Sequence, residues 1–193
     1  MSGAARARLF VALDLPEDVR EALAAWGRAV ATRDGAERRL RLIPPSALHV
    51  TLCFLGWRDE GQAEEIAALA LGAVPAGAPA PPLALGAPAW LPRRRPRVLA
   101  VDLADERDAL ADLQACVSDA LAARAAFEPE KRPFRPHVTV ARVPRGARAG
   151  SRAELAPPPP LRFPGAAVTL YRSRLSRAGA HYEPLARAEL SER

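Results

Sequence analysis

Residues 48–56 read Leu-His-Val-Thr-Leu-Cys-Phe-Leu-Gly, and residues 136–142 read Pro-His-Val-Thr-Val-Ala-Arg. Prolines lead into both: Pro44-Pro45-Ser46 before the first, Pro133 and Pro136 before the second. Such alternation predicts half-buried strands at His49–Leu55, closed by Gly56, and at His137–Val143. Residues two apart in a strand project from one face. His49 therefore shares a surface with Thr51, and His137 with Thr139, while Val50, Leu52, Val138 and Val140 point the other way. The chain has only three histidines and four threonines, so a repeated His-x-Thr pair is its most informative feature.

The segments around these strands complete the plan. Arg8–Leu15 predicts another strand, with Leu9, Val11, Leu13 and Leu15 on one face and Phe10, Ala12 and Asp14 on the other. Pro16 opens a helix whose first turn holds Glu17 and Asp18 and whose stripe is Val19, Leu23, Trp26 and Val30, with Gly35 in the turn beyond. A second helix is expected at about Asp59–Leu71, and Gly72–Pro82 as an irregular connection. Leu83–Leu91 and Arg97–Leu103 read as strands joined by Pro92-Arg93-Arg94-Arg95-Pro96. Glu106–Arg124 is a helix with Leu110, Leu113, Val117 and Leu121 as its apolar stripe. A long loop, Pro144–Pro164, contains the Pro157–Pro160 run, and strands follow at Val168–Ser176 and His181–Leu190. This order lacks the regular alternation of a doubly wound sheet and predicts an α+β fold of mostly antiparallel sheet with flanking helices. A strand–helix pattern occurs twice, which points to two pseudo-symmetric lobes within one domain spanning residues 1–193. If the lobes oppose their His/Thr faces, both pairs line one central cleft.

Composition narrows the class. A hydrophobic content of 49% with 26% charged residues is ordinary for a globular protein, and no apolar run reaches membrane-spanning length. The N-terminus, MSGAARARLFVALDL, lacks the apolar region and cleavage site of a signal peptide, so the expected location is cytoplasmic. Cys53 and Cys116 carry no motif spacing and are expected as free thiols packed like small apolar groups. A net charge of +6 and a pI near 10.5 invite an anionic partner. Lys131 is the only lysine among many arginines, alanines and prolines, so codon preference competes as the source of that charge.

Two histidines facing one cleft suit phosphodiester chemistry. Imidazole exchanges protons near neutral pH, so one ring can take a proton from an attacking water while the other protonates a departing ribose oxygen. Threonine hydroxyls can donate to the non-bridging phosphate oxygens as charge builds there. A metal site is the rival reading, but neither motif brings a second His, Asp, Glu or Cys at ligand spacing. The scheme needs no metal and no cofactor.

With these motifs the chain resembles the two-histidine phosphoesterase superfamily, and within it the bacterial and archaeal RNA 2′,3′-cyclic phosphodiesterases once described as 2′–5′ RNA ligases. The resemblance runs through Arg8-Leu-Phe-Val-Ala-Leu-Asp-Leu-Pro16, the two motif stretches from Leu48 and Arg132, and the ending around Leu170-Tyr-Arg-Ser and Tyr182-Glu-Pro-Leu. It implies a bilobal fold around a cleft and hydrolysis of a ribose 2′,3′-cyclic phosphate to a 2′-phosphomonoester. It also implies a weak RNA-joining activity in reverse. The substrates would be RNA 3′ ends or nucleoside 2′,3′-cyclic phosphates, handled by a monomer with no obligate protein partner and no membrane. By motif order the family makes His49 the proton donor and His137 the proton acceptor, with Thr51 and Thr139 holding the phosphate. The residues alone leave the acid and base labels open. Related substrates, 2′,5′-linked oligonucleotides or cyclic phosphates from tRNA processing, and a non-catalytic RNA- or nucleotide-binding role are the alternatives.

Other residues stand further from the motifs. Phe10 is a candidate for stacking on a base, with ordinary packing as the competing reading. Arg132 precedes the second strand and is a candidate phosphate contact. Strict alternation puts Arg142 with Val138 and Val140, away from His137, and so outside the site. Arg93, Arg94 and Arg95 form a basic turn that either tracks an RNA backbone or is simply solvated. His181 has Glu183, not threonine, two places on, and is expected to be non-catalytic.

Overall fold

The computed structural model describes residues 5–33, 40–124, 127–146, 155–176 and 179–191. The elements are β1 (Arg6–Asp14), α1 (Glu17–Arg33), β2 (Arg41–Leu42), β3 (His49–Asp59), α2 (Ala63–Gly72), β4 (Pro82–Leu91) and β5 (Val98–Ala104). They continue with α3 (Ala109–Arg124), β6 (His137–Arg142), β7 (Arg162–Pro164), β8 (Ala167–Ser176) and β9 (Gly179–Glu189). Short 3₁₀ turns at Pro45–Ala47 and Glu60–Gln62 precede β3 and α2 respectively. The predicted turn at Gly35 and residues 147–154 of the predicted loop lie outside the described residues. Among the described residues no helix is long and apolar enough to cross a membrane.

The fold is α+β, and its named strands all pair antiparallel in the order β7-β4-β5-β6-β3-β1-β8-β9, with β2 also on β6. One half, β3-β1-β8-β9, and the other, β7-β4-β5-β6, are held by long ladders. Between them the register contains a single rung, Val50 opposite Val138. The two halves therefore meet edge to edge in one curled sheet, where the sequence suggested faces packed against each other. Both valines are buried, at 1% and 0% exposure, so the rung is hydrogen-bonded backbone with an apolar underside.

Helices cover that underside. α1 buries Val19, Leu23, Trp26 and Val30, with Glu17 and Asp18 at its positive end and Arg33 at its negative end. It lies so close to β6 that a Cβ on Gly27 would stand 2.5 Å from Val140 Cγ1. The Trp26 indole donates to Ala156 O (3.1 Å), tying down the chain just before the proline run. α3 buries Leu110, Val117 and Leu121 and begins at Ala109, not at Glu106. The Asp105 carboxylate accepts from the amides of Leu110 and Ala111, both at 2.9 Å, and this sets the helix start. Cys53 is buried, but Cys116 is exposed, because it lies off the α3 stripe; only the first thiol packs as an apolar group.

Bulges change the strands from their simple reading. β3 does not end at Gly56 but continues to Asp59. Gly56 takes φ +71°, and the register steps from Leu9↔Gly56 to Phe10↔Phe54. A left-handed residue inside a strand is where glycine costs least, and it bends the strand without ending it. In β6 the register steps from Ala100↔Thr139 to Leu99↔Ala141, leaving Val140 as the extra residue. Past a bulge the alternation reverses, so Arg142 returns to the face of His137 and Thr139.

The Gly27–Val140 approach gives a stability test. Gly27→Leu forces a side chain into the β6 surface and is expected to cost roughly 1–3 kcal/mol, read as a lower urea midpoint. A midpoint equal to wild type would contradict this packing.

Candidate active site

On the side of the sheet opposite the helices, the Val50–Val138 rung sets the motif residues in a rectangle. Antiparallel register brings Thr51 toward His137 and His49 toward Thr139. All four line one cavity of about 50 Å³, together with Arg142 and Tyr182. Arg142, which alternation had excluded, thus belongs to the wall of this cavity, and the bulge at Val140 is the reason.

The two rings are held alike. His49 Nδ1 lies 2.9 Å from Ala47 O, and His137 Nδ1 lies 2.8 Å from Arg135 O. A carbonyl only accepts, so each Nδ1 carries hydrogen and each neutral ring keeps its lone pair on Nε2. His49 Nε2 is 3.1 Å from Thr51 Oγ1, whose hydroxyl donates to it in that tautomer. The segment carrying Arg135 O is itself anchored, since the Arg135 guanidinium makes a two-pronged contact with Asp102 at 3.0 and 2.7 Å. Asp102 stands opposite His137 in the β5–β6 ladder.

The surroundings of the two histidines differ. His49 sits in an aromatic nest, with its ring centroid 4.9 Å from Phe10 and 5.2 Å from Tyr182, the latter edge-on. Burial, the dominant influence, lowers the His49 pKa to about 4. The Ala47 hydrogen bond and the Asp14 charge act against that shift, while Arg142 and His137 add to it. Asp14 faces His49 in the β1–β3 register. Its carboxylate accepts from Thr169 Oγ1 and Tyr171 OH, both at 2.8 Å, with Arg187 Nε 3.7 Å away. Burial, and then the Asp14 contact and charge, hold the Tyr171 phenol well above its usual pKa.

The other sequence candidates separate clearly. Phe10 is 3% exposed, stacked on Tyr171 at 5.3 Å with Tyr182 edge-on at 5.0 Å, so it braces His49 from below and offers little free face. Arg132 is exposed and lines a larger neighbouring cavity, which also touches Thr51 and His137. Arg93 lines that same cavity. His181 is exposed on β9, paired with Arg174 across the ladder. Tyr182 and the Asp14–Thr169–Tyr171 group were not singled out from sequence, although Asp14, an acid ending an apolar strand on the Phe10 face, was a visible signal.

The chain is similar to known proteins in both sequence and fold. A profile of the 2′-5′ RNA ligase superfamily matches residues 15–177. An RNA 2′,3′-cyclic phosphodiesterase of Escherichia coli (strain K12) is 35% identical over 188 residues, covering 96% of this chain and 97% of that protein. A protein of the same name from Thermus thermophilus is 35% identical over 190 residues, covering 95% and 90%. The crystal structure of E. coli LigT complexed with 3′-AMP matches with a TM-score of 0.77 at 27% identity, covering 97% of this chain and 100% of that one.

The low His49 pKa has a consequence for stability. The unfolded chain takes up this proton near pH 6.5, the folded chain only near 4. Stability from the neutral ring is present above pH 6.5, is lost as pH falls from 6.5 to 4, and then levels off. The difference corresponds to roughly 3 kcal/mol. In urea titrations across this window, His49→Asn is expected to show a flatter acid limb than wild type; identical limbs would contradict the burial of the ring.

Proposed function

The chain belongs to the 2′-5′ RNA ligase superfamily, and on that footing we propose that it is a hydrolase opening RNA 2′,3′-cyclic phosphates, with His49 and His137 as its acid and base. The observation that carries this reading is the pair of imidazoles locked alike through Nδ1, both on one cavity with two threonines and an arginine. A cyclic phosphodiester between the two Nε2 atoms meets hydroxyl donors from Thr51 and Thr139 and a positive charge from Arg142. These groups favour the charge that grows on the non-bridging oxygens in the transition state.

The proposed step runs through these groups. His137 Nε2 takes a proton from water as the water oxygen bonds to phosphorus. The bond from phosphorus to O3′ breaks, and His49 Nε2–H delivers its proton to O3′, leaving a 2′-phosphomonoester. Which histidine plays which part follows the family. Burial favours the neutral form of His49 at neutral pH, whereas an acid must carry its proton. A phosphodiester anion beside Nε2 stabilises the imidazolium, so substrate and proton enter together. Both motifs come from one chain, which supports a monomer working without a partner protein; a cytoplasmic location is part of the same proposal.

The test is incubation of RNA ending in a 2′,3′-cyclic phosphate with protein in excess chelator, resolving 2′- from 3′-phosphate. The expected product is the 2′-phosphate. His49→Ala and His137→Ala are each expected to lower kcat by roughly 10²–10⁴-fold with the fold retained by circular dichroism. Arg142→Ala is expected to lower kcat/KM by roughly 10²-fold. A 3′-phosphate product, or wild-type turnover in either histidine variant, would overturn the scheme.

A further inference from the structure

Besides the catalytic cavity, His49 borders another small one of about 100 Å³, which it shares with Asp14, Arg20, Tyr171, Tyr182 and Arg187. The charges around the ring are lopsided. α1 brings Arg20 and β9 brings Arg187, while β6 places His137 and Arg142 in the catalytic cavity. Tyr171 of β8 and Tyr182 of β9 add phenols. Asp14 of β1 is the one carboxylate among the residues lining either cavity. Arginine charges oppose a protonated imidazole, and a fixed negative charge is what offsets them.

Resting on the assignment of His49 as proton donor, we infer that Asp14 is its positioning residue: the carboxylate is the counter-charge that lets the ring carry a proton, and Thr169 and Tyr171 hold that carboxylate in place. Backbone register sets the first part. Asp14 stands opposite His49 in the β1–β3 ladder and opposite Ala167 in the β1–β8 ladder, and its carbonyl accepts from Ala166 N at 2.9 Å. The side chain is fixed as firmly. Oδ2 accepts from Thr169 Oγ1 and Oδ1 from Tyr171 OH, both at 2.8 Å, from two residues that share one face of β8.

The nature of these partners matters. An Asp14 side chain only 14% exposed needs hydrogen bonds to offset its lost hydration. It gets them from neutral hydroxyls, which leave its charge unspent. Arg187 Nε stays 3.7 Å from Asp14 and lies closer, at 2.9 Å, to Glu189. The His49 ring in turn has both nitrogens engaged, Nδ1 with Ala47 O and Nε2 with Thr51 Oγ1. Asp14 therefore acts on the ring through its charge and not through a hydrogen bond. Burial is the larger influence on His49 and lowers its pKa; the Asp14 charge works against it.

The experiment uses Asp14→Asn, which keeps the size of the side chain and removes the charge, with circular dichroism to confirm the fold. On adenosine 2′,3′-cyclic phosphate, kcat at neutral pH is expected to fall roughly tenfold with KM within about twofold of wild type. Losing the negative charge weakens the imidazolium, so the alkaline limb of the kcat profile moves about one pH unit toward acid. Asp14→Ser, smaller and also uncharged, is expected to move it equally. Nitrogen-15 NMR of the free protein, which needs no turnover, is expected to put the His49 midpoint in both variants below the wild-type value of about 4. Tyr171→Phe breaks one of the same hydrogen bonds but keeps the charge, with Thr169 still in place, and is expected to leave the limb where it is. An unmoved limb and midpoint in the Asp14 variants, or an equal displacement in Tyr171→Phe, would overturn the inference and leave the hydrolase reading standing. Failure of wild type to open the cyclic phosphate would instead remove the hydrolase reading, and with it the role given to His49.

Discussion

The site depends on one antiparallel rung, Val50 opposite Val138. It is the point where two well-paired half-sheets touch, and its apolar underside is sealed by the core beneath. A slip of one residue would turn every side chain of one motif to the wrong face. With the rung in place, four polar side chains from distant parts of the chain fall within one small cavity. Because the rung is single, the strands diverge beyond it, and the same junction opens the larger cavity alongside.

Around this junction the two motifs are held by the same device and tuned by different neighbours. Each ring is fixed by a hydrogen bond from Nδ1 to the carbonyl two residues back. His49 is then enclosed by Phe10 and Tyr182, while the backbone acceptor of His137 is steadied by the Arg135–Asp102 contact. Giving two like groups unlike surroundings is a general route to separate proton-transfer roles. The aromatic enclosure favours neutral His49, and Asp14, opposite it on β1, works in the other direction. The Asp14 carboxylate is in turn held by Thr169 and Tyr171 from β8, so three strands share in setting the state of one ring.

The elements were legible where their signal was local. The strands at His49 and His137, the α1 stripe, the hairpin of β4 and β5 and the α3 stripe all follow from periodicity. Their boundaries moved where a specific contact decided them, as when Asp105 capped α3 three residues later than the pattern suggested. β2 and β7 are too short to carry a period, and they exist only because β6 and β4 offer them edges. Arg142 is the clearest miss. Alternation is a sound rule for a flat strand, and one extra residue at Val140 was enough to reverse it.

Read alone, the chain settles that each motif histidine shares a face with its threonine, because i and i+2 project to one side wherever a strand runs without a bulge. It also settles the class of fold and the chemistry available to two histidines and two threonines. It does not settle that the two motif strands lie side by side, that a bulge returns Arg142 to them, or that Tyr182 and Asp14 stand around His49. Those depend on backbone hydrogen bonds and side-chain packing between residues far apart in sequence. A periodic pattern describes one strand at a time, and the register between strands exists only once the sheet has formed.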